Sequence, residues 1–294
     1  MATQLRKRLG KRVEENVPLA PFTTFGIGGQ ALFFIAAKKR EEIIEAVKTS
    51  RELSLPYFVL GGGSNILVSD QGFPGLVIQI KNKGLRVERE KIIAEAGTPL
   101  AKIVETARKN SLTGLECCIG IPGTLGGAIC GNAGAREEWI GQKVAKVSII
   151  DKESKIRTLN NASCQFSYRQ SRFKNESQEI VLNAVLILKE ESPKIIEEKI
   201  KLFSEARKNQ PKEKSAGSVF KNPEGDSAGR LIEEAGLKGK RAGGAQISEK
   251  HANFIINTGG AKAEDVLKLI RLAQTTVKEK FNINLELEIR LVGF

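Results

Sequence analysis

The sequence predicts a mixed α+β protein in two parts, a larger N-terminal region and a smaller C-terminal one. Short apolar runs flanked by glycine or proline alternate with longer segments whose apolar residues recur at helical spacing. Two glycine-rich segments, Gly61–Asn65 and Cys117–Ala135, lie beside such short runs in the first part. A charged stretch at residues 210–215 (QPKEKS) reads as a linker, and a chain of 294 residues is long enough for about two domains.

The elements follow in order. Residues 31–36 (ALFFIA) read as a short buried strand. Residues 40–53 place Ile43, Ile44 and Val47 on one helical face. Tyr57–Leu60 is apolar, ends in Gly61-Gly62-Gly63-Ser64-Asn65, and is followed by Ile66-Leu67-Val68, giving strand, glycine loop, strand. Residues 75–80 and 91–96 are further strands. Thr98-Pro99 offers an N-cap with proline at the first helical position, opening a helix to Asn110 with Leu100, Ile103, Val104 and Ala107 inward. Strands at 144–150 and 180–188 come after the second glycine segment. Ser192-Pro193 opens another helix, with Ile196, Ile200 and Phe203 at i, i+4 and i+7. Helices at 226–236 and 262–280 follow, the latter with Val266, Ile270, Ala273 and Val277 on one face, and residues 285–292 close the chain as a strand. There is no internal repeat.

The run from Cys117 to Ala135 (CCIGIPGTLGGAICGNAGA) carries no charge, although 28% of the chain is charged. It is long enough for a membrane helix, but its glycines break helical structure too often. Glycine costs backbone entropy on folding, so a chain concentrates it where backbone must approach something closely. Gly61–Asn65 adds an anion-binding nest of consecutive N–H groups with the Ser64 and Asn65 side chains as donors. Neither segment is a P-loop or a GxGxxG turn opening a helix. Together they suit a flat, phosphate-bearing cofactor lying on bare backbone.

Composition narrows the classes. The basic N-terminus is not followed by an apolar stretch, so no secretory signal is expected and the cytosol is the default. The four cysteines (Cys117, Cys118, Cys130, Cys164) include no CxxC pair, so no metal site is expected and reduced thiols are. The one histidine, His251, rules out multi-histidine metal sites and reads as a surface residue. Net charge is +13, but aromatics are only 5% and do not interleave with basic runs as nucleic-acid stacking platforms do. Small anionic ligands therefore rank above nucleic acid, and no membrane association is expected.

Several motifs occur in a fixed order: Thr23-Thr24-Phe25, Gly28-Gly29, Gly61-Gly62-Gly63-Ser64-Asn65-Ile66-Leu67, Gly120-Ile121-Pro122-Gly123-Thr124-Leu125-Gly126-Gly127 and Asn132-Ala133-Gly134-Ala135. Ser167-Tyr168-Arg169, Gly217-Ser218-Val219-Phe220-Lys221-Asn222-Pro223 and Ala228-Gly229-Arg230-Leu231-Ile232 follow them. From Asn16 to the C-terminus the chain thereby resembles the UDP-N-acetylenolpyruvoylglucosamine reductase (MurB) family. The resemblance implies an N-terminal extension at 1–20 and an FAD-binding fold of the vanillyl-alcohol oxidase (PCMH) type at 21–190, built as two α+β subdomains. A smaller α+β substrate-binding domain is implied at 191–294, its final strand returning toward the active site. FAD is expected to bind non-covalently, with NADPH as co-substrate, a UDP-sugar as substrate and a cytoplasmic monomer as the working form. The short path from Arg169 to strand 180–188 matches the subclass that lacks an inserted, substrate-capping tyrosine loop.

The same resemblance assigns residues. FAD is expected on Gly61, Gly62, Gly63, Ser64, Asn65, Gly120, Pro122, Gly123, Thr124, Gly126, Gly127, Asn132 and Gly134. Hydride delivery to an enolpyruvyl ether builds negative charge on its carboxylate and requires a proton at the adjacent carbon. Arg169 and Glu288 match the carboxylate-polarising positions, and Ser218 matches the proton donor. Tyr168, Lys221, Asn222 and Arg230 match substrate contacts, with Lys221 also a neighbour that could stabilise a serine alkoxide. Gly26, Gly131 and Arg136-Glu137-Glu138 depart from the family pattern. The alternatives are a flavin oxidase of the same fold and a basic nucleic-acid-binding protein.

Overall fold

The computed structural model describes residues 1–174 and 178–294. They form two compact units that interleave along the chain. Met1–Val13, Phe34–Gly62 and Leu76–Lys208 make the first, and Glu14–Phe33, Gly63–Gly75 and Asn209–Phe294 make the second. The units thus divide at 208/209, whereas the sequence reading divides the chain at 190. The helix Pro193–Glu205 falls in the first unit, and the segments 14–33 and 63–75 fall in the second.

The first unit is organised by a five-stranded antiparallel sheet in the order Ile156–Asn160, Val144–Ile150, Ile180–Ile187, Lys91–Glu95, Leu85–Glu88. Alternation along Lys91–Glu95 buries Ile92 and Ala94 on one face, the period-two pattern of a half-buried strand. Tyr57–Leu60 pairs in parallel with the end of Phe73–Ile80, from Tyr57↔Leu76 to Leu60↔Gln79. The helix Arg40–Glu52 starts where Glu42 Oε2 accepts the N–H groups of Lys38 and Lys39, and it buries Ile43, Ala46 and Val47.

The segment expected as an N-terminal extension, 1–20, contains regular structure. Ala2–Leu9 is a helix whose Leu5 and Leu9 are fully buried, and Val13 is buried after it. Each such leucine contributes roughly 1.5–3 kcal/mol by leaving water. The helix Leu100–Lys109 forms as expected, but Pro99 rather than Thr98 is its N-cap residue. The Thr98 hydroxyl donates to the Gly84 carbonyl instead. The helix Pro193–Glu205 is capped by Ser192, whose Oγ accepts the Ile195 N–H.

The second unit has a four-stranded antiparallel sheet, Ser215–Ser218, Phe254–Asn257, Ala245–Ile247 and Arg241–Ala242. Its core gathers Phe25, Leu67, Phe220, Leu231, Ile255, Val266 and Ile270. The helix Ala263–Phe281 is held at its start by Asp70, whose carboxylate accepts the N–H groups of Ala263 (2.9 Å) and Glu264 (3.1 Å). Only Arg290–Val292 of the expected final strand is regular, paired in parallel with Ile66–Val68; Leu287 makes a single bridge to Phe220. Among the described residues no helix is long and apolar enough to cross a membrane.

Candidate active site

The uncharged glycine run folds, in the first unit, into a 3-10 turn at Glu116–Cys118, an extended stretch, and a short helix at Leu125–Gly131 closed by left-handed Asn132 (φ 45°). The helix is seven residues long, so glycine limits helical structure here without abolishing it. Cys117, Cys118, Leu125, Ala128 and Ile129 are buried beneath it, while Gly62, Gly120, Pro122 and Gly127 are exposed. The result is a shelf of bare backbone over an apolar base. A β-carbon on Gly62 would stand 2.6 Å from Gly123 Cα, and one on Gly61 would stand 2.7 Å from Thr124 Oγ1. Thr124 Oγ1 is itself buried and has no hydrogen-bond partner among the described residues. An orphaned buried hydroxyl at the rim of a glycine shelf fits a ligand that brings its own polar atoms, as the phosphates and ring edges of FAD do.

Not every residue expected on the cofactor is free to reach it. Asn132 is fully buried; its amide donates to the Ser167 carbonyl (2.7 Å) and accepts the Gly141 N–H (3.0 Å). Its side chain organises the loop that carries Tyr168 and Arg169. Gly134 packs against the backbone of Glu138 and Trp139, where a β-carbon would come within 2.8 Å or less of three atoms. Its carbonyl accepts Arg169 Nη2 at 2.9 Å. Asn132 and Gly134 therefore act through the fold of the loop.

Arg169 adopts a left-handed backbone (φ 52°), and its guanidinium lies 5.4 Å from the Tyr168 ring centroid. Lys174 Nζ holds the Arg169 carbonyl at 2.9 Å. Strained backbone in a non-glycine residue is typical of functional positions. Close by, Cys117 and Cys118 face each other with sulfurs 3.8 Å apart. The Cys117 thiol and burial hold the Cys118 thiol well above its ordinary range, so it stays a neutral packing group.

In the second unit the last residues of the glycine loop meet the C-terminal segment. Asn65 Nδ2 donates to the Glu288 carbonyl at 3.1 Å, and the Arg290 N–H donates to the Asn65 carbonyl at 3.0 Å. Asn65 thus anchors the Glu288 segment with one of its two amide protons. The Glu288 N–H donates to the Val219 carbonyl at 2.8 Å, which sets Glu288 beside the residue following Ser218. Ser218 ends its strand opposite Phe254 and is partly exposed. Phe220 is gripped on both sides by the buried Asn253 amide, which accepts its N–H and donates to its carbonyl. Asn253 has no motif that would mark it in the sequence.

Lys221 and Arg230 stand differently from expectation. Lys221 Nζ pairs with the exposed Glu286 at 3.0 Å, so the ammonium does not engage the Ser218 hydroxyl. Arg230 is half-exposed and bonded to Asp226 and Glu234, which drive its affinity for a proton up. It belongs to a charged helix face, as Lys238 with Glu233 does. Asn222 Oδ1 accepts the Ala228 N–H at the start of the helix Ala228–Glu234.

Two family models match the chain: an FAD binding domain over residues 31–160, and the C-terminal domain of UDP-N-acetylenolpyruvoylglucosamine reductase over residues 210–292. Curated reductases of that name from Caldanaerobacter subterraneus and Carboxydothermus hydrogenoformans are each 45% identical. The alignments span 95% and 99% of this chain and 93% and 97% of theirs. The crystal structure of the Thermus caldophilus enzyme is 40% identical with a TM-score of 0.84, over 96% of this chain and 99% of that one. The chain belongs to the UDP-N-acetylenolpyruvoylglucosamine reductase family. It is an FAD-dependent oxidoreductase with an α+β FAD-binding fold and the reductase C-terminal domain. A grass-pollen glucose dehydrogenase, 17% identical with a TM-score of 0.53 over 65% of this chain, shares the fold alone.

Three positions singled out in this reductase's sequence have local surroundings that can be described. Gly26 has a left-handed backbone (φ 66°), and a β-carbon there would meet Lys214 Cδ at 3.0 Å. The Lys214 side chain occupies the space that a larger residue 26 would need. Arg136 stacks over Phe203 at 5.9 Å. His251, expected at the surface, is instead partly buried against Gly229 and Phe254. Burial lowers its affinity for a proton. The unfolded chain therefore binds more protons than the folded one just below the ordinary histidine range. The stabilisation is present above about pH 6.5 and is lost as pH falls through the depressed folded value. His251→Gln is expected to flatten the loss of stability between about pH 6.5 and 5, measured by urea unfolding; an unchanged slope contradicts this.

Proposed function

We propose that this reductase converts the enolpyruvyl ether of UDP-N-acetylglucosamine to UDP-N-acetylmuramate, a step of peptidoglycan precursor synthesis, with NADPH as reductant. Bound FAD supplies the hydride relay between the nicotinamide and the vinyl carbon. The chain's own residues do the rest. The exposed glycine shelf and the Thr124 hydroxyl hold the cofactor without a covalent bond. Arg169, whose guanidinium is a fixed cation with a planar fork, holds the substrate carboxylate and offsets the charge that develops on it. Glu288 flanks that carboxylate. Ser218 delivers the proton to the carbon next to the carboxylate.

The observation that supports this best is the hydrogen bond from the Glu288 N–H to the Val219 carbonyl. Two motifs distant in sequence, each matching a catalytic position of the family, are thereby neighbours in one unit. Tyr168, Lys221 and Asn222 line the substrate in this scheme. The enzyme works in the cytoplasm as a monomer, on sugar nucleotides and NADPH and not on nucleic acid or membrane. The test is steady-state: NADPH oxidation should require the enolpyruvyl sugar nucleotide. Equal rates with and without it contradict the proposal.

A further inference from the structure

Arg207 follows the helix Pro193–Glu205 by two residues, in the same unit as Arg169. Its Nε lies 3.2 Å, and its Cδ 3.4 Å, from where a β-carbon on Gly120 would stand. The side chain therefore rests on the bare backbone of a shelf glycine. Among the described residues no hydrogen bond or ion pair engages its guanidinium. Nearly every other buried or half-buried arginine in this unit has such a partner: Arg51 binds Asp151 and Tyr57, Arg172 binds Glu179, and Arg108 binds Glu105 and Glu197. Burial, and then the like charge of Arg169, weaken the hold of Arg207 on its proton. The two arginines attach to one stretch of backbone: Arg207 rests on Gly120, Cys118 two residues earlier reaches the Ala133 carbonyl, and Arg169 holds the carbonyl of the next residue, Gly134. Like charges in one region and partly out of water repel and lose hydration, a cost that a shared anion removes. The end of a helix offers a cation some compensation, but that field fades within a turn.

We propose that Arg207, whose side chain lies against Gly120, is a second guanidinium for the oxyanion held by Arg169, namely the carboxylate of the enolpyruvyl ether. The inference rests on the assignment of Arg169 to that carboxylate. Two forked cations around one carboxylate fix its plane, and therefore the face of the vinyl group presented for reduction. As charge moves onto the carboxylate during reduction, the pair is matched better to the product side of that change than to the ground state.

The test uses the FAD-loaded enzyme and three variants, Arg207→Gln, Arg207→Lys and Arg169→Gln. Binding to the oxidised enzyme is titrated by the change in flavin absorbance. One ligand is the enolpyruvyl substrate and the other is UDP-N-acetylglucosamine, which has the same diphosphate and sugar but no carboxylate. Arg207→Gln should weaken the carboxylate-bearing ligand by about 10- to 100-fold, the range for one charged hydrogen-bonding partner, and change the other by less than about twofold. Arg207→Lys should recover part of the loss. Flavin content and Tm of each variant establish that it is folded. Equal weakening of both ligands would place Arg207 on the diphosphate and overturn the proposal. Slower flavin reduction by NADPH with unchanged substrate affinity would place it on the nicotinamide nucleotide, and unchanged affinity for every ligand would leave it a helix-end residue; either overturns it too. If Arg169→Gln also leaves substrate affinity unchanged, the assignment of Arg169 itself fails. If Arg169→Gln weakens it and Arg207→Gln does not, only the inference about Arg207 fails.

Discussion

Ser218→Ala is expected to leave reduction of the bound flavin by NADPH within about twofold of wild type, and to slow its reoxidation by the enolpyruvyl substrate by about 10²- to 10⁴-fold, the usual contribution of a positioned general acid. The asymmetry follows from where the proton is needed. Charge transfer from NADPH to the cofactor requires no proton at the substrate, whereas the second transfer leaves a carbanion-like centre beside a carboxylate. The substitution removes one oxygen and little else. Ser218 keeps its pairing with Phe254, and its neighbour Phe220 stays clamped by Asn253. A serine is a poor acid in water, and Lys221, the cation of its own motif, is paired with Glu286. Stopped-flow absorbance of the flavin separates the two phases. Unchanged reoxidation would remove Ser218 from the proton-transfer role.

Gly62→Val is expected to strip the enzyme of flavin. The β-carbon alone would stand 2.6 Å from Gly123 Cα and 3.3 Å from the Gly123 carbonyl carbon. Both partners are backbone and cannot swing aside, so the two glycine segments must part. Overpacking of this kind costs about 1–3 kcal/mol, and the displaced shelf no longer presents its exposed face. The ratio of flavin to protein absorbance after gel filtration reads the loss. Gly127→Ala is the companion measurement. Its β-carbon meets only Thr124 Oγ1, at an ordinary 3.8 Å, and it lies inside the helix Leu125–Gly131. Alanine there favours the helix by about 0.5–1 kcal/mol in the apoprotein. Lower flavin content in a variant that folds at least as well would report direct contact between the cofactor and residue 127. Full flavin content in both variants would mean that the glycine shelf does not carry FAD.

Legibility in the sequence followed the range of the physics involved. Regular elements with strong periodicity, such as Arg40–Glu52, Val144–Ile150 and Ala263–Phe281, could be read from spacing and caps. The glycine shelf could be read because glycine has a backbone cost that must be repaid by close approach. The helix Ala2–Leu9 was hidden: its Leu5 and Leu9 fall at i and i+4, but Arg6, Lys7 and Arg8 between them make the segment look like a basic tail. The interleaving of the two units was not legible either, because burial of 14–33 and 63–75 with 209–294 depends on contacts far apart in the chain. Motif order located Arg169, Ser218 and Glu288, yet it could not separate residues that touch ligand from residues that shape the loop. Asn132 and Gly134 carry the same motif weight as Gly62 and Thr124, but they are buried, and the Asn132 amide and the Gly134 carbonyl are engaged by Ser167, Gly141 and Arg169. Arg207 had no motif at all. Its signal is the lack of a guanidinium partner among the described residues, which only three-dimensional packing reveals.

The most direct measurement mixes the purified enzyme with one equivalent of NADPH under argon, then adds the enolpyruvyl sugar nucleotide, and follows the flavin band. Bleaching by NADPH should be followed by full return of absorbance on addition of the substrate, with UDP-N-acetylglucosamine leaving the band bleached. Return only on admission of air would mark a flavin oxidase on this fold, and a colourless protein that responds to neither reagent would contradict the account outright.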